Sequence, residues 1–326
     1  MVLLPAMSEA IKKKRILTGI QPSGRPHIGN YFGMMKQVVD MQDEYESFPF
    51  IVDYHALTTV RDREAMRENI LNAAIDFLAI GLDPKKATLF QQSRVSAHTE
   101  LGWILNCITT MPFLMRAHAF KDAQEAKKKE ITVGLFDYPI LMAADILLYD
   151  VDIVPVGKDQ QQHVEIARDI AEKFNNTFGE TFKLPKALIK ESVAVVPGTD
   201  GNKMSKSYGN TIPLFASREE IEKAVMSIVT SNDGDMPENV YAIHKLFKSE
   251  AELAPIYEQH KGRFGDLKKV LIEDIDAFIA PMRDRREEIA KDIDAVKEIL
   301  DNGANIAREI ADTKMQLVRE RLGVTL

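Results

Sequence analysis

A single cysteine, Cys107, among 326 residues excludes an intrachain disulfide and any zinc or iron–sulfur site built on cysteines. It lies in the apolar helical run Trp103-Ile104-Leu105-Asn106-Cys107-Ile108 and is expected to be a buried small apolar residue. Such sparing thiol usage fits a reducing, cytoplasmic compartment. Long apolar runs are also missing. No window approaches ~18 uninterrupted apolar residues, so neither a membrane span nor a membrane partner is expected. The opening Met1-Val2-Leu3-Leu4-Pro5-Ala6-Met7 is too short for a signal core, and Lys12 to Lys14 follow it rather than precede it. There is no surplus of positive charge. A net charge of −7 argues against indiscriminate polyanion binding but leaves a specific nucleic-acid partner open. No G-x-G-x-x-G follows a strand, which removes support for a nicotinamide-binding unit. No G-x-x-x-x-G-K-[ST] occurs, which excludes a P-loop ATPase.

What is present is a balanced globular composition, 45% apolar and 28% charged, long enough for one large or two ordinary domains. Short apolar runs predict strands at Ile16–Ile20, Phe48–Val52, Thr88–Phe90, Ile153–Val156 and Val193–Val196. Helical patterns fall between them at Tyr31–Glu44, Glu64–Ala79, Thr99–Thr109 and Gln162–Asn175. This alternation predicts an α/β fold, a Rossmann-type doubly wound parallel sheet covered on both faces. Ligands in such sheets bind beyond the carboxyl ends of the strands. After Ile212 only helices are expected: Ser217–Ser227, Tyr241–Phe247, Glu250–His260, Phe264–Arg285, Ile293–Leu300 and Asn305–Leu322. Ser217-Arg218-Glu219-Glu220 is a capping box. The organisation expected is an N-terminal extension over 1–14, a catalytic domain over 15–200 and a C-terminal all-helical domain over 201–326. The last helix is placed to pack back on the catalytic domain.

Two short segments carry the chemistry. Gln21-Pro22-Ser23-Gly24-Arg25-Pro26-His27-Ile28-Gly29-Asn30 turns straight out of the first strand into a helix. Gly29 lets a base or ribose approach the backbone, His27 and Asn30 present donors, and the exposed amides favour a phosphate. In Gly198-Thr199-Asp200-Gly201-Asn202-Lys203-Met204-Ser205-Lys206-Ser207, two lysines three residues apart can reach a pyrophosphate as compact charges, with the Ser205 and Ser207 hydroxyls as further donors. Between these segments, Tyr138, Met142, Asp145 and Tyr149 share one helical face. Asp145 sits among Met, Ala, Ile and Leu. A buried carboxylate without a partner costs several kcal/mol. A protein donor or a ligand donor relieves that cost, and no Lys or Arg lies within one turn on this helix. An indole N–H would fit, and a phenol hydroxyl could also donate. A site built on an unpaired acceptor rejects a plain phenyl analogue by on the order of 10⁴–10⁵-fold.

The remaining polar clusters carry no chemistry of their own. His98, His118, His244 and His260 lack metal-ligand spacing and are expected to be ordinary surface or core histidines. His163 with Glu165 orients the helix it opens. Lys127-Lys128-Lys129 reads as a solvated loop, and Arg283 to Glu288 as a solvated helix face with (i, i+4) pairs.

His27-Ile28-Gly29-Asn30 and Lys203-Met204-Ser205-Lys206-Ser207 resemble the two signatures of class I aminoacyl-tRNA synthetases. The Asn30 ending is familiar in the tryptophanyl branch. Gly134-Leu135-Phe136-Asp137-Tyr138-Pro139-Ile140-Leu141-Met142-Ala143-Ala144-Asp145-Ile146-Leu147-Leu148-Tyr149 resembles the specificity helix of that branch. Val154-Pro155-Val156-Gly157-Lys158-Asp159-Gln160, with Gln162-His163, resembles the segment after it. The similarity runs from about Ile16 to the end of the chain.

The resemblance implies that Asp145 reads the indole nitrogen and Met142 packs on the ring. It further implies that Tyr138 and Gln160 hold the α-amino group, that Leu17, Val154 and Val156 line the slot, and that His55 lies nearby. Gln21, Pro22, Ser23, Gly29, Asn30, Gly157, Lys158, Asp159 and the backbone near Val195 would contact ATP. Lys203 and Lys206, with Met204, Ser205 and Ser207 in their loop, would grip the triphosphate, and Lys121 is a further candidate. His27, Asn30, Lys203 and Lys206 form the implied catalytic set. The implied reaction activates L-tryptophan with ATP and Mg²⁺, then acylates the 2′-hydroxyl of the terminal adenosine of tRNA(Trp). A homodimer, an anticodon-reading helical domain and closure of the lysine loop are implied as well. An iron–sulfur cluster held by cysteines is not possible. The alternatives are a tyrosine–tRNA ligase, a non-catalytic tryptophan- or RNA-binding paralogue, and an adenylyltransferase for a small coenzyme. The last would not need the helical C-terminal part.

Overall fold

A computed structural model describes residues 13–116, 132–157, 161–189, 196–230 and 236–325. Five parallel strands form one sheet in the order β3-β2-β1-β4-β5. They are β1 (Arg15–Ile20), β2 (Glu46–Ile51), β3 (Phe90–Gln91), β4 (Ile153–Val156) and β5 (Lys186–Ile189). Strand β1 lies at the centre, where the order reverses, with Leu17 beside Phe48 and Gly19 beside Phe50. Side chains alternate across the sheet and so feed two cores. Leu17, Phe48, Phe50 and Val154 enter one core, and Ile20 and Ile51 enter the other.

The helices are α1 (Ile28–Asn30), α2 (Lys36–Met41), α3 (Asp53–Ala56), α4 (Arg63–Ala79), α5 (Ala97–Ile108), α6 (Met111–Leu114), α7 (Val133–Leu147) and α8 (Gln161–Phe178), followed by α9 (Arg218–Met226), α10 (Glu238–His244), α11 (Glu250–Gln259), α12 (Phe264–Ile289) and α13 (Ile293–Leu322). A π-helical turn, Tyr31–Met35, joins α1 to α2, so the helix after the signature turn starts at Ile28 rather than Tyr31. The expected capping box at Ser217 is present, with Ser217 N–H donating to Glu220 and Ser217 Oγ accepting from Glu220 N–H.

Four sequence expectations need correction. The fifth strand among the described residues is Lys186–Ile189, a partly exposed edge strand whose Lys186 and half-buried apolar residues blunt the hydrophobic signal. Of the segment predicted instead, residues 193–195 lie outside the described residues. Val196 is in no strand and accepts from Met204 N–H at 2.9 Å. Second, the two terminal helices are one. Gly303, between the two predicted stretches, is a buried helical residue pressed against the start of β3, where a Cβ would collide with the Leu89 carbonyl. Up to Leu300, α13 contributes Val296 and Leu300 to one core, and from Ala304 on it contributes Ala304, Ala307, Ala311, Met315 and Val318 to the other. Third, Cys107 is exposed. The buried face of α5 is Ala97, His98, Leu101, Gly102 and Leu105, which leaves Trp103 and Cys107, one turn apart, on the outer side. Fourth, the charged run from Arg283 is only partly a solvated face: Asp284, Glu287 and Glu288 are exposed, while the arginines reach other segments. Arg283 donates to the Ala216 carbonyl at 2.6 Å, Arg285 to the Ala79 carbonyl at 3.2 Å and Arg286 to Asp76 at 2.6 Å.

Candidate active site

The first signature is a turn locked by its own side chains. His27, in extended conformation, caps α1. His27 N–H donates to Asn30 Oδ1 at 3.0 Å, and Asn30 N–H donates to His27 Nδ1 at 3.2 Å. Because Nδ1 accepts, the ring proton of neutral His27 sits on Nε2. Burial, reinforced by the charge of Lys206, lowers its pKa from 6.5 to about 4, so the ring is a neutral N–H donor near pH 7. Gly29 is required by crowding. A Cβ there would stand 2.8 Å from His27 Nδ1 and 3.3 Å from Met204 Cβ.

The second signature folds directly onto the first. Ile28 N–H donates to the Ile212 carbonyl at 3.0 Å and Leu214 N–H to the Pro26 carbonyl at 2.9 Å. Lys206 Nζ donates to the Ser23 carbonyl at 2.8 Å. Partial burial lowers the Lys206 pKa and Asp76 opposes that shift. Met204 is buried and anchors the loop in the core, while Lys203, Lys206 and Ser207 are exposed. Ser205 and Ser207 share a hydroxyl hydrogen bond of 2.8 Å. Buried Asn210 organises this loop. It donates to Asp200 at 2.6 Å and to the Lys203 carbonyl at 3.2 Å, and accepts from Ser205 N–H at 2.8 Å. Gly198 leaves room for it, since a Cβ there would run into the Asn210 amide.

Asp145, on α7, is buried, and the protein itself supplies its partners. Its Oδ1 accepts from Gln92 Nε2 at 2.8 Å and pairs with His98 Nδ1 at 2.6 Å, and its Oδ2 pairs with His55 Nε2 at 2.8 Å. Burial raises its pKa, but His55 and His98 outweigh that and hold it at about 2, so it is a carboxylate near pH 7. The cost that the sequence alone assigned to an unpaired carboxylate is therefore largely met from within. A carboxylate has about four acceptor directions. Three are used here, and the one left is on Oδ2. Leu17 and Val154 are buried, and Met142 and Val156 are half-buried against the same core. Tyr138 is half-buried, and its hydroxyl meets His163 Nε2 at 2.9 Å. Gly19 is exposed near the carboxyl end of β1, where a Cβ would stand 3.1 Å from Val52 Cγ1.

Gln21, Ser23 and Asn30 are exposed at the carboxyl end of β1, Pro22 is buried under them, and Gly157 is exposed after β4. Lys121, Lys158, Asp159, Gln160 and Val195 lie outside the described residues, as do His118 and Lys127 to Lys129. Sequence reading did not single out Gln92 or Asn210, and it treated His98 as ordinary. Gln92 had a usable signal, because polar residues at the carboxyl end of a buried strand face the ligand side of a parallel sheet. Asn210 and His98 had none, since their partners are remote in the chain. Among the described residues no group of three His, Cys, Asp or Glu side chains is placed to hold a metal, and no helix is long and apolar enough to cross a membrane.

A sheet that reverses order at β1 sets the capped His27 turn and the lysine loop, stitched together, beyond its carboxyl end, where parallel sheets bind their ligands. The family of tRNA synthetases class I (W and Y) matches residues 10–301, and this chain belongs to it. The tryptophan–tRNA ligase of Rhodopirellula baltica is 49% identical over 319 residues, covering 95% of this chain and 99% of that protein. That of Fusobacterium nucleatum is 48% identical, covering 95% and 98%. The crystal structure of tryptophanyl-tRNA synthetase from Campylobacter jejuni, complexed with ADP and tryptophan, superposes with a TM-score of 0.90 at 49% identity, covering 95% of this chain and 99% of that one.

Proposed function

We propose that this chain is a tryptophan–tRNA ligase. It joins L-tryptophan to ATP as tryptophanyl-adenylate with release of pyrophosphate, then passes the acyl group to the 2′-hydroxyl of the terminal adenosine of tRNA(Trp) in the cytoplasm. The reading is carried by the two signatures meeting at the carboxyl end of β1 in a chain nearly half identical to tryptophan ligases along almost its full length. The tryptophan carboxylate attacks the α-phosphorus in line, and the bond to the bridging oxygen of pyrophosphate breaks. No protein nucleophile is needed. Positioning and stabilisation of the leaving charge carry the rate.

The neutral Nε2–H of His27 donates to phosphate oxygens without adding charge. Lys206, carried on a loop hinged beside Ser23, and Lys203 supply the ammonium groups. Mg²⁺ would be held mainly by the phosphate oxygens of ATP and by water rather than by a protein cage, and it would add charge stabilisation to that of Lys203 and Lys206. The free acceptor direction on Asp145 Oδ2 takes the indole N–H, with Met142, Leu17, Val154 and Val156 around the ring. Tyr138 serves the α-amino group.

An exposed apolar face supports a homodimer. Trp103 is 71% exposed, and Met111, Met115, Val133 and the Cys107 thiol are exposed with it on α5, α6 and the start of α7. Large exposed apolar side chains grouped on packed neighbouring helices are typical of association sites.

ATP–pyrophosphate exchange, run separately with tryptophan and with tyrosine, tests the activity. Exchange is expected with tryptophan. Exchange with tyrosine alone would overturn the substrate assignment, and tryptophan binding without exchange at any Mg²⁺ concentration would favour a non-catalytic role.

A further inference from the structure

We propose that His98, with Tyr149 behind it and Gln92 beside it, is the positioning residue that keeps Asp145 aimed at the indole nitrogen. The proposal rests on the tryptophan-ligase reading above.

His98 is fully buried, stacked on Phe50 at 5.9 Å and on Phe90 at 6.2 Å. Both of its nitrogens are engaged. Nδ1 meets Asp145 Oδ1 at 2.6 Å, and Nε2 meets the Tyr149 hydroxyl at 2.8 Å. Tyr149 is itself fully buried, and burial, followed by the charges of Asp145 and Asp312, raises its pKa well above the usual phenol range. It keeps its proton and donates to Nε2. The hydrogen of a neutral His98 is thereby confined to Nδ1, where it points at Asp145.

Gln92 is fixed in the same sense. Its Oε1 accepts from Tyr54 N–H at 3.1 Å, which turns its amide N–H₂ towards Asp145 Oδ1 at 2.8 Å. Both acceptor directions of Oδ1 are then filled from the core side. His55 takes one direction of Oδ2, so the carboxylate cannot rotate without breaking a buried hydrogen bond, and the one direction left on Oδ2 faces the slot. Every group facing it is a donor, so the carboxylate is held as a pure acceptor. Such a group distinguishes a ring N–H from an isosteric ring atom that carries no hydrogen. Remove His98 or its tautomer lock, and the carboxyl gains freedom to rotate or to protonate, and the distinction weakens.

The test compares full-length wild type with Tyr149→Phe, His98→Leu, His98→Asn and Asp145→Asn in ATP–pyrophosphate exchange. The substrates are tryptophan and β-(3-benzothienyl)alanine, in which sulfur replaces the ring N–H. The readout is the ratio of kcat/KM for the two. His98→Leu is expected to lower this ratio about tenfold, the size of a single lost hydrogen bond to a charged group. The loss should appear in KM for tryptophan, with KM for ATP unchanged. His98→Asn, whose Nδ2 can occupy the Nδ1 position, is expected to recover most of the ratio. Tyr149→Phe removes only the hydroxyl, keeps the ring packing, and is expected to lower the ratio less than His98→Leu. It carries the test if His98→Leu does not fold. An unchanged ratio in the His98→Leu and Tyr149→Phe proteins, with only the melting temperature reduced, would overturn the proposal. If the ratio is lost in Asp145→Asn but kept in those two, the positioning role fails and Asp145 as reader stands. If Asp145→Asn also keeps the ratio, the reading of the slot itself fails.

Discussion

Neutral His27 and buried Asn210 show how single residues set this site. The pKa of His27 falls from 6.5 to about 4 on folding, chiefly through burial. Between those values the unfolded chain binds a proton that the folded chain does not. The contribution of His27 to stability is thus complete above pH 6.5 and is lost as pH falls towards about 4. His27→Asn is expected to melt at a lower temperature at neutral pH but with a shallower decline across that window, as calorimetry at stepped pH would show. A decline as steep as that of the wild type would contradict the assignment. Asn210 holds three partners across the lysine loop. Asn210→Ala leaves the Ser205 N–H and the Lys203 carbonyl without this partner. It is expected to reduce the pyrophosphate-exchange kcat by roughly 10–100-fold with little change in KM for tryptophan, equivalent to about 1.4–2.7 kcal/mol. Stopped-flow adenylate formation would check it.

Among the elements, α13 shows why composition misleads locally. Glycine inside a helix ordinarily costs about 1 kcal/mol relative to alanine. Gly303→Ala would therefore be expected to stabilise an isolated helix. In this fold the added Cβ meets the Leu89 backbone, so the same substitution is expected to destabilise by about 2 kcal/mol, measurable by urea unfolding. A gain in stability would show that α13 can move away from β3. The helix after the first signature carries a comparable irregularity, a π turn at Tyr31–Met35, which no residue-type pattern announces. Strands β1 and β2 were legible because most of their residues are buried and form short apolar runs, Ile16-Leu17 with Ile20 and Phe48 to Ile51. Edge strand β5 was not, because half of its environment is solvent.

For the molecule as a whole, charged pairs join segments far apart in the chain. Arg286 on α12 pairs with Asp76 on α4 at 2.6 Å, donates to Asn72 at 2.8 Å and stacks over Phe215. Asp76 is buried, and burial raises its pKa while Arg286 opposes that. Replacing Arg286 by Met leaves that carboxyl without its cation. The expected cost is about 3 kcal/mol, and Asp76→Asn in the same protein should return part of it, as chemical denaturation of the single and double variants would reveal. Arg25, in the first signature, bridges to Glu220 on α9 at 2.7 Å, but this pair is exposed and contributes little by itself. The proposed homodimer is tested in sedimentation: a dimeric mass is expected for the wild type and a monomeric one for Trp103→Lys, on the exposed apolar face, whereas a monomeric wild type would overturn the homodimer.

The amino-acid sequence by itself determined the parallel α/β sheet, the helical C-terminal part, both signatures and the face shared by Tyr138, Met142 and Asp145. Each of these follows from local period, turn chemistry or spacing within one element. Only the tertiary structure decided what surrounds Asp145. Its three donors come from residues 90, 53 and 47 positions away in the chain. It also decided that Cys107 faces outward, that the arginines of the Arg283 run bind carbonyls and a carboxylate across the molecule, and that one helix runs through Gly303 against Leu89. These depend on which surfaces the sheet brings together. Hydrogen-bond partners and steric limits arise between remote segments, and no periodicity within a segment encodes them.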